Sequence, residues 1–171
     1  MELEHPLAFT DIPGYTPHLS RLISMMSYVR ETSLQAVEGL SVAQLDYLVR
    51  PDGNTIGMLL AHMAAVEAAY FMQTVSWEQV GNSPALSLGA AGREALRGQP
   101  LEHYLAELAR VREQTEKGFR ELDDAWLRQL DASWGTPTSN HFKWFHVFED
   151  EINHRGQIRL IRRLLPENLG V

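Results

Sequence analysis

The stretch Phe142-Lys143-Trp144-Phe145-His146-Val147-Phe148-Glu149-Asp150-Glu151-Ile152-Asn153-His154-Arg155-Gly156-Gln157 carries no proline and no turn pair. Its apolar residues Phe142, Phe145, Phe148 and Ile152 recur at steps of three and four, the period of an α-helix and not of a strand. With Gly156 they predict a stripe that faces a core, and Glu149 and Asn153 fall on or beside its centre. His146, Asp150 and His154 stand at i, i+4 and i+8, each one turn from the next on a single strip. An imidazole and a carboxylate one turn apart can hold one metal ion from a single helix. Plainer uses exist: Asp150 pairing with Arg155 or Lys143, and His154 standing at the surface beside Arg155.

Asn140 is placed to cap this helix, and Pro166 ends it at about Leu165. Upstream, Arg50-Pro51-Asp52-Gly53 reads as a turn, and Asn54 as the cap of a helix running to about Thr74. That helix has almost no polar face, which predicts a central, buried position, and Gly57 permits close packing. His62 interrupts it. A buried neutral imidazole needs a partner for each nitrogen, so His62 is either a hydrogen-bonded core residue or a third metal ligand. Pro17 opens a helix to Glu38, followed by Gly39 at a C′ position. Ser41-Val42-Ala43-Gln44 reads as a capping box. Pro100 opens another helix to about Leu122.

No segment shows sustained strand alternation. The reading is all-α: one four-helix bundle domain over 1–171, with an arm over 1–16 and main helices at about 17–38, 54–74, 100–122 and 140–165. Val75 to Pro100 is rich in breakers. It predicts a long crossover with one short helix around Trp77 to Val80. The tryptophans Trp77, Trp126, Trp134 and Trp144 suit core packing or a pocket wall.

A chain of 171 residues, 44% hydrophobic and 22% charged, can bury a core without staples. It has no cysteine, which excludes disulfides, thiolate metal sites and cysteine nucleophiles. A net charge of −7 argues against nucleic-acid or anionic-membrane partners. The apolar run from Ile56 to Met72 is broken by His62 and Glu67, and so does not read as a membrane span. Met1-Glu2-Leu3-Glu4-His5 lacks the apolar region of a secretory signal, and the expected location is cytoplasmic. Arg155, Arg159, Arg162 and Arg163 read as an anion patch or as a solvated helix end.

Two segments together carry a resemblance. Residues Asn54 to Glu67, with His62, resemble the second helix of the DinB/YfiT-like family. His146 to Ile158, with His154-Arg155-Gly156-Gln157, is similar to that family's last bundle helix. The resemblance implies an up-down-down-up bundle with a long crossover. It also implies a divalent metal, Zn or Ni, held by His62, Asp150 and His154, with His146 in reserve. Asp150 stands where the typical family helix has histidine; the similar mycothiol-dependent isomerases have a carboxylate there. The implied activity is S-transfer from a low-molecular-weight thiol, bacillithiol or mycothiol, to a small electrophile through a metal-bound thiolate. The electrophile would sit beneath the crossover. A hydrolase using metal-bound water and a non-catalytic, stress-associated small-molecule binder are the alternatives. Glu67 and Glu149 are expected to orient a ligand or move a proton, and Arg155 and Arg159 to receive the thiol's carboxylates. A homodimer is expected.

Overall fold

A computed structural model describes residues 7–169. The N-terminal stretch read above for a secretory signal, Met1 to His5, lies outside them, as do the last two residues of the expected domain. Four long helices make the bundle: α1 (Pro17–Val37), α3 (Ile56–Phe71), α5 (Leu101–Phe119) and α7 (Asn140–Arg163). Three short ones, α2 (Val42–Leu45), α4 (Ala90–Ala95) and α6 (Asp124–Arg128), sit in the connections. The expected boundaries hold to within a few residues, but two caps move. Thr55, not Asn54, accepts from the Met58 N–H, and Ser139, not Asn140, accepts from that of Phe142. In both cases a hydroxyl directly before the helix displaces the amide as cap. The capping box from Ser41 to Gln44 forms with both of its bonds, and Gly39 takes the left-handed conformation (φ +72°) that ends α1.

Side-chain pairings give the directions. Arg30 meets Glu151 and Arg162 meets the Ala36 carbonyl, so α1 and α7 run parallel. Asn54 meets Gln157 while Thr74 meets Trp144, so α3 and α7 are antiparallel. Gly57 lies on Tyr104 and Gly118 on Phe71, so α3 and α5 are parallel. The bundle is therefore up-down-down-up, and the connection from α3 to α5 must return along its length. That crossover differs from expectation. The chain leaves α3 through a π-helical turn, Met72–Ser76, and Trp77 is left-handed (φ +56°). The short helices come later, as a 3₁₀ turn at Pro84–Leu86 and as α4. Trp77 to Val80 is not helical. Strand structure among the described residues is one two-residue antiparallel pair, β1 (Leu130–Asp131) with β2 (Thr138–Ser139).

The core has two apolar clusters, one holding Leu19, Phe119 and Trp144, the other Leu59, Tyr104 and Ile158. Between them lies a layer of buried charge. Glu67 accepts from Arg30 and Arg112, and Glu151 from Arg30, at 2.8 to 3.1 Å for the closest contacts. Ions this deep are tolerated only when paired and hydrogen-bonded. Burial alone would raise the Glu67 carboxyl, but Arg112 and Arg30 hold it at about 2. The span Ile56–Ser76 is long and apolar enough to cross a membrane by length and composition alone; here it is the central helix, packed between α5 and α7.

The rotation of α7 corrects the reading of its stripe. Phe142, Phe145 and Ile152 are exposed, and the buried side carries Lys143, Trp144, Val147, Glu151, His154 and Ile158. The buried face includes a lysine and a glutamate because each has a fixed partner, Asp131 and Arg30. A hydropathy count assigns such residues to solvent.

Candidate metal centre

His62 projects from the middle of α3 towards α7, which supplies Asp150 and His154. One ligand atom from each of the three falls within 4.8 Å of the other two. His62 Nε2 is 3.8 Å from Asp150 Oδ2, His154 Nε2 is 3.3 Å from Asp150 Oδ1, and the two rings meet edge to face at 5.0 Å. Both histidines are buried, and Asp150 is partly so.

The outer nitrogens are held. The Nδ1–H of His62 donates to the carbonyl of Ala85, 2.8 Å away in the crossover, which leaves Nε2 with its lone pair towards Asp150. His154 Nδ1 is 3.2 Å from the side-chain amide nitrogen of Gln157, whose oxygen accepts from the Asn54 amide at 3.1 Å. An amide offers either its oxygen or its NH₂ to a ring nitrogen. With the Gln157 and Asn54 amides both turned over, the oxygen faces the ring, Nδ1–H donates and Nε2 is free. Metal-binding histidines are oriented by partners of this kind.

The inner atoms fit a cation. Asp150 Oδ2 and His154 Nε2 are buried and have no hydrogen-bond partner. The 3.3 Å approach of His154 to Asp150 is close enough for charge attraction but is not aligned as a hydrogen bond. Buried polar atoms rarely stay unpaired, and an ion bonded to both would satisfy them. Burial would raise the Asp150 carboxyl, but His154, His62 and His146 hold it below its ordinary value. Burial lowers His62, against the opposing pull of Ala85 and Asp150, so the ring favours its neutral, lone-pair form. Two imidazoles and one carboxylate are a borderline-soft donor set suited to zinc and its neighbours.

The other expected site residues lie elsewhere. His146 turns its Nδ1 to Glu149, 2.9 Å away, and lies flat against Phe142. Glu149 also accepts from Asn153. Glu67 belongs to the ion layer with Arg30 and Arg112. Arg155 donates to Thr32 on α1, and Arg159 is exposed. Lys143 pairs with Asp131 and not with Asp150. A cavity of about 520 Å³ does lie beneath the crossover, between the alanine-rich face of α3, Leu86 and Tyr104. None of the three candidate ligands lines it, though Ala85, the hydrogen-bond partner of His62, does.

Sequence reasoning missed the site roles of Tyr70, Gln157 and Asn54; Trp134 it placed in a core or a pocket wall. Burial and then the Asp150 charge push the Tyr70 phenol up, so it keeps its proton at neutral pH. Tyr70, Trp134 and His146 pack edge to face at 5.7 to 6.1 Å and form an aromatic wall on the Asp150 side. The signal was spacing: Tyr70 follows His62 by eight positions and Gln157 follows His154 by three, each on its ligand's strip.

This bundle and its two-histidine, one-aspartate cluster define a DinB-like helical protein. Its fold is shared with a conserved protein from Enterococcus faecalis (TM-score 0.70, 14% identity, 84% of this chain and 94% of the other). It is shared too with a DinB-like protein from Bacillus cereus (TM-score 0.58, 14% identity, 85% and 91%). The mycothiol S-transferase family model matches residues 21–166, and the chain belongs to that family. No curated protein matches the sequence.

Proposed function

We propose that the protein is a metal-dependent thiol S-transferase that joins a low-molecular-weight thiol, of the mycothiol or bacillithiol type, to a small electrophile. The observation that carries this reading is the convergence of His62, Asp150 and His154 around two buried atoms without hydrogen-bond partners. Family membership supports the thiol. The absence of cysteine agrees with a sulfur nucleophile that arrives with the cosubstrate.

His62, Asp150 and His154 would hold a divalent cation, Zn²⁺ or Ni²⁺, which when bound favours the ionised form of a thiol. The chain supplies the rest. Ala85 and Gln157 fix the two imidazoles. Asp150, kept ionised, balances cationic charge. Tyr70 keeps a proton it can lend as a hydrogen bond beside Asp150. Its aromatic neighbours Trp134 and His146 pack edge to face against it on that side. In the net reaction a sulfur–carbon bond forms. Either a carbon–halogen bond breaks and the thiol proton leaves as acid, or an epoxide C–O bond breaks and its oxygen takes the proton. Glu67, Glu149, Arg155 and Arg159 have no part in this scheme. A cytoplasmic location follows from the thiol reading, since such cosubstrates are kept reduced inside cells.

The test is elemental mass spectrometry of untagged wild type, His62→Ala and His154→Ala, with a thiol-dependent assay for loss of a halogenated aromatic or an epoxide. Near-stoichiometric zinc or nickel that both variants lose, with the activity, is the expected result. Folded protein that stays metal-free after incubation with Zn²⁺, Ni²⁺ and Mn²⁺ would sink the reading. Metal-dependent turnover without thiol would replace it with a hydrolase.

A further inference from the structure

The buried ion layer opens on one side. Between α1 and α5 lies a cavity of about 300 Å³, and none of His62, Asp150 and His154 lines it. Arg30 and Arg112 do, although both are more than nine-tenths buried (7% and 9% exposed). Arg30 directs its guanidinium to Glu151, Glu67 and the Leu108 carbonyl. Arg112 gives only its Nε and Nη2 to Glu67, side on. Its Nη1 carries two N–H groups and has no acceptor among the described residues. A charged donor held this deep calls for an oxygen.

The two helices are antiparallel, since α1 runs with α7 and α5 with α3, and the Arg30 bond to Leu108 sets their register. Leu34, one turn beyond Arg30, therefore lies towards Leu105, one turn before Leu108. These leucines make the apolar end of the cavity. Glu116, one turn past Arg112, makes the other end. Helical side chains tilt towards the N-terminus, which leans Glu116 back over Arg112. Glu113 is paired with Lys117, but Glu116 has no ion pair among the described residues. Along the cavity the order is apolar wall, unused guanidinium prong, unpaired carboxylate.

We infer that this cavity binds a free α-amino acid with an aliphatic side chain. Its carboxylate meets Arg112 Nη1, its ammonium meets Glu116, and its side chain lies on Leu34, Leu105 and Ala109. A volume of about 300 Å³ is the room of about ten water molecules, enough for leucine. Partial ligands fit less well. A fatty acid brings a further anion beside Glu116, while the charges of Arg30, Arg112, Glu67 and Glu151 already cancel. An alkylamine answers Glu116 but gives Arg112 no oxygen. A hydrocarbon desolvates both charged groups and partners neither. A zwitterion satisfies each and leaves the net charge of the site unchanged.

The test is isothermal titration calorimetry of the full chain with L-leucine, isocaproate and isoamylamine. The last two are leucine without its ammonium and without its carboxylate. Wild type, Glu116→Gln and Ala109→Trp are compared; Glu116 is partly exposed and Ala109 exposed, and circular dichroism checks that both variants fold. The expected result is saturable binding of L-leucine, weakened about tenfold by Glu116→Gln and lost in Ala109→Trp, whose indole fills the cavity. Isocaproate and isoamylamine should each bind at least about tenfold more weakly than leucine. Absence of saturable leucine binding overturns the proposal, as does binding that either variant leaves intact. Isocaproate or isoamylamine binding as tightly as leucine overturns the ligand class. Neither metal nor thiol enters the measurement, so its failure and that of the transferase reading are told apart.

Discussion

His62 on the central helix donates its Nδ1–H to the carbonyl of Ala85, 23 residues further along and 2.8 Å away. A crossover segment without long helices thereby sets the tautomer of a candidate metal ligand. Ala85 is held in turn by the Ser83 hydroxyl and by the 3₁₀ turn that Pro84 opens. Pro84→Gly loosens that turn by about 0.4 to 1 kcal/mol through the entropy of the open chain. The expected outcome is a several-fold loss of Zn²⁺ affinity, read by competition with a chromophoric chelator. The melting temperature should hardly move, because Pro84 packs outside the buried core.

Gln157 holds the Nδ1 side of His154 with its side-chain amide, whose nitrogen lies 3.2 Å away. Gln157→Leu removes this partner and is expected to weaken metal binding about tenfold, within the range seen for such outer partners. Gln157→Glu offers a stronger acceptor and should keep or raise the affinity. Equal losses in the two variants would mean that the amide merely fills space.

The buried ion layer makes a pH prediction. Glu67 is raised by burial but lowered more by Arg112 and Arg30, from 4.5 to about 2. Its folded value is depressed, so its contribution is complete above 4.5 and is lost as pH falls through about 2. Urea unfolding of the wild type should therefore weaken steadily over that window. Glu67→Gln should flatten the dependence. At neutral pH it should cost about 3 to 5 kcal/mol, since Arg30 and Arg112 are left buried without their shared carboxylate.

Two helix glycines should behave oppositely. A Cβ on Gly57 would stand 2.6 Å from the Tyr104 hydroxyl and 2.9 Å from its ring, and that hydroxyl is pinned to the Leu96 carbonyl. Gly57→Ala is expected to cost about 1 to 3 kcal/mol. A Cβ on Gly156 meets nothing within 4 Å, and Gly156→Ala should stabilise α7 by about 0.5 to 1 kcal/mol. Thermal melts of the two variants check both signs.

The sequence by itself determined the bundle and its long helices. Their ends follow from local rules: Pro17 at a first turn, Gly39 with positive φ, the capping box at Ser41, and unbroken runs at helical period. It also put Asp150 and His154 on one strip, because one turn of helix fixes the spacing of side chains four apart. Only the tertiary structure decided which face of α7 turns inward. Phe142, Phe145 and Ile152 look outward while Lys143 and Glu151 are buried. Burial of a charge depends on a partner more than a hundred residues distant for Glu151, and across a small β pair for Lys143. The roles of Ala85, Gln157 and Tyr70 depend in the same way on contacts between elements. Local chemistry writes helices and their ends into the chain; which charges find partners, and so what can be buried, is settled only when the helices meet.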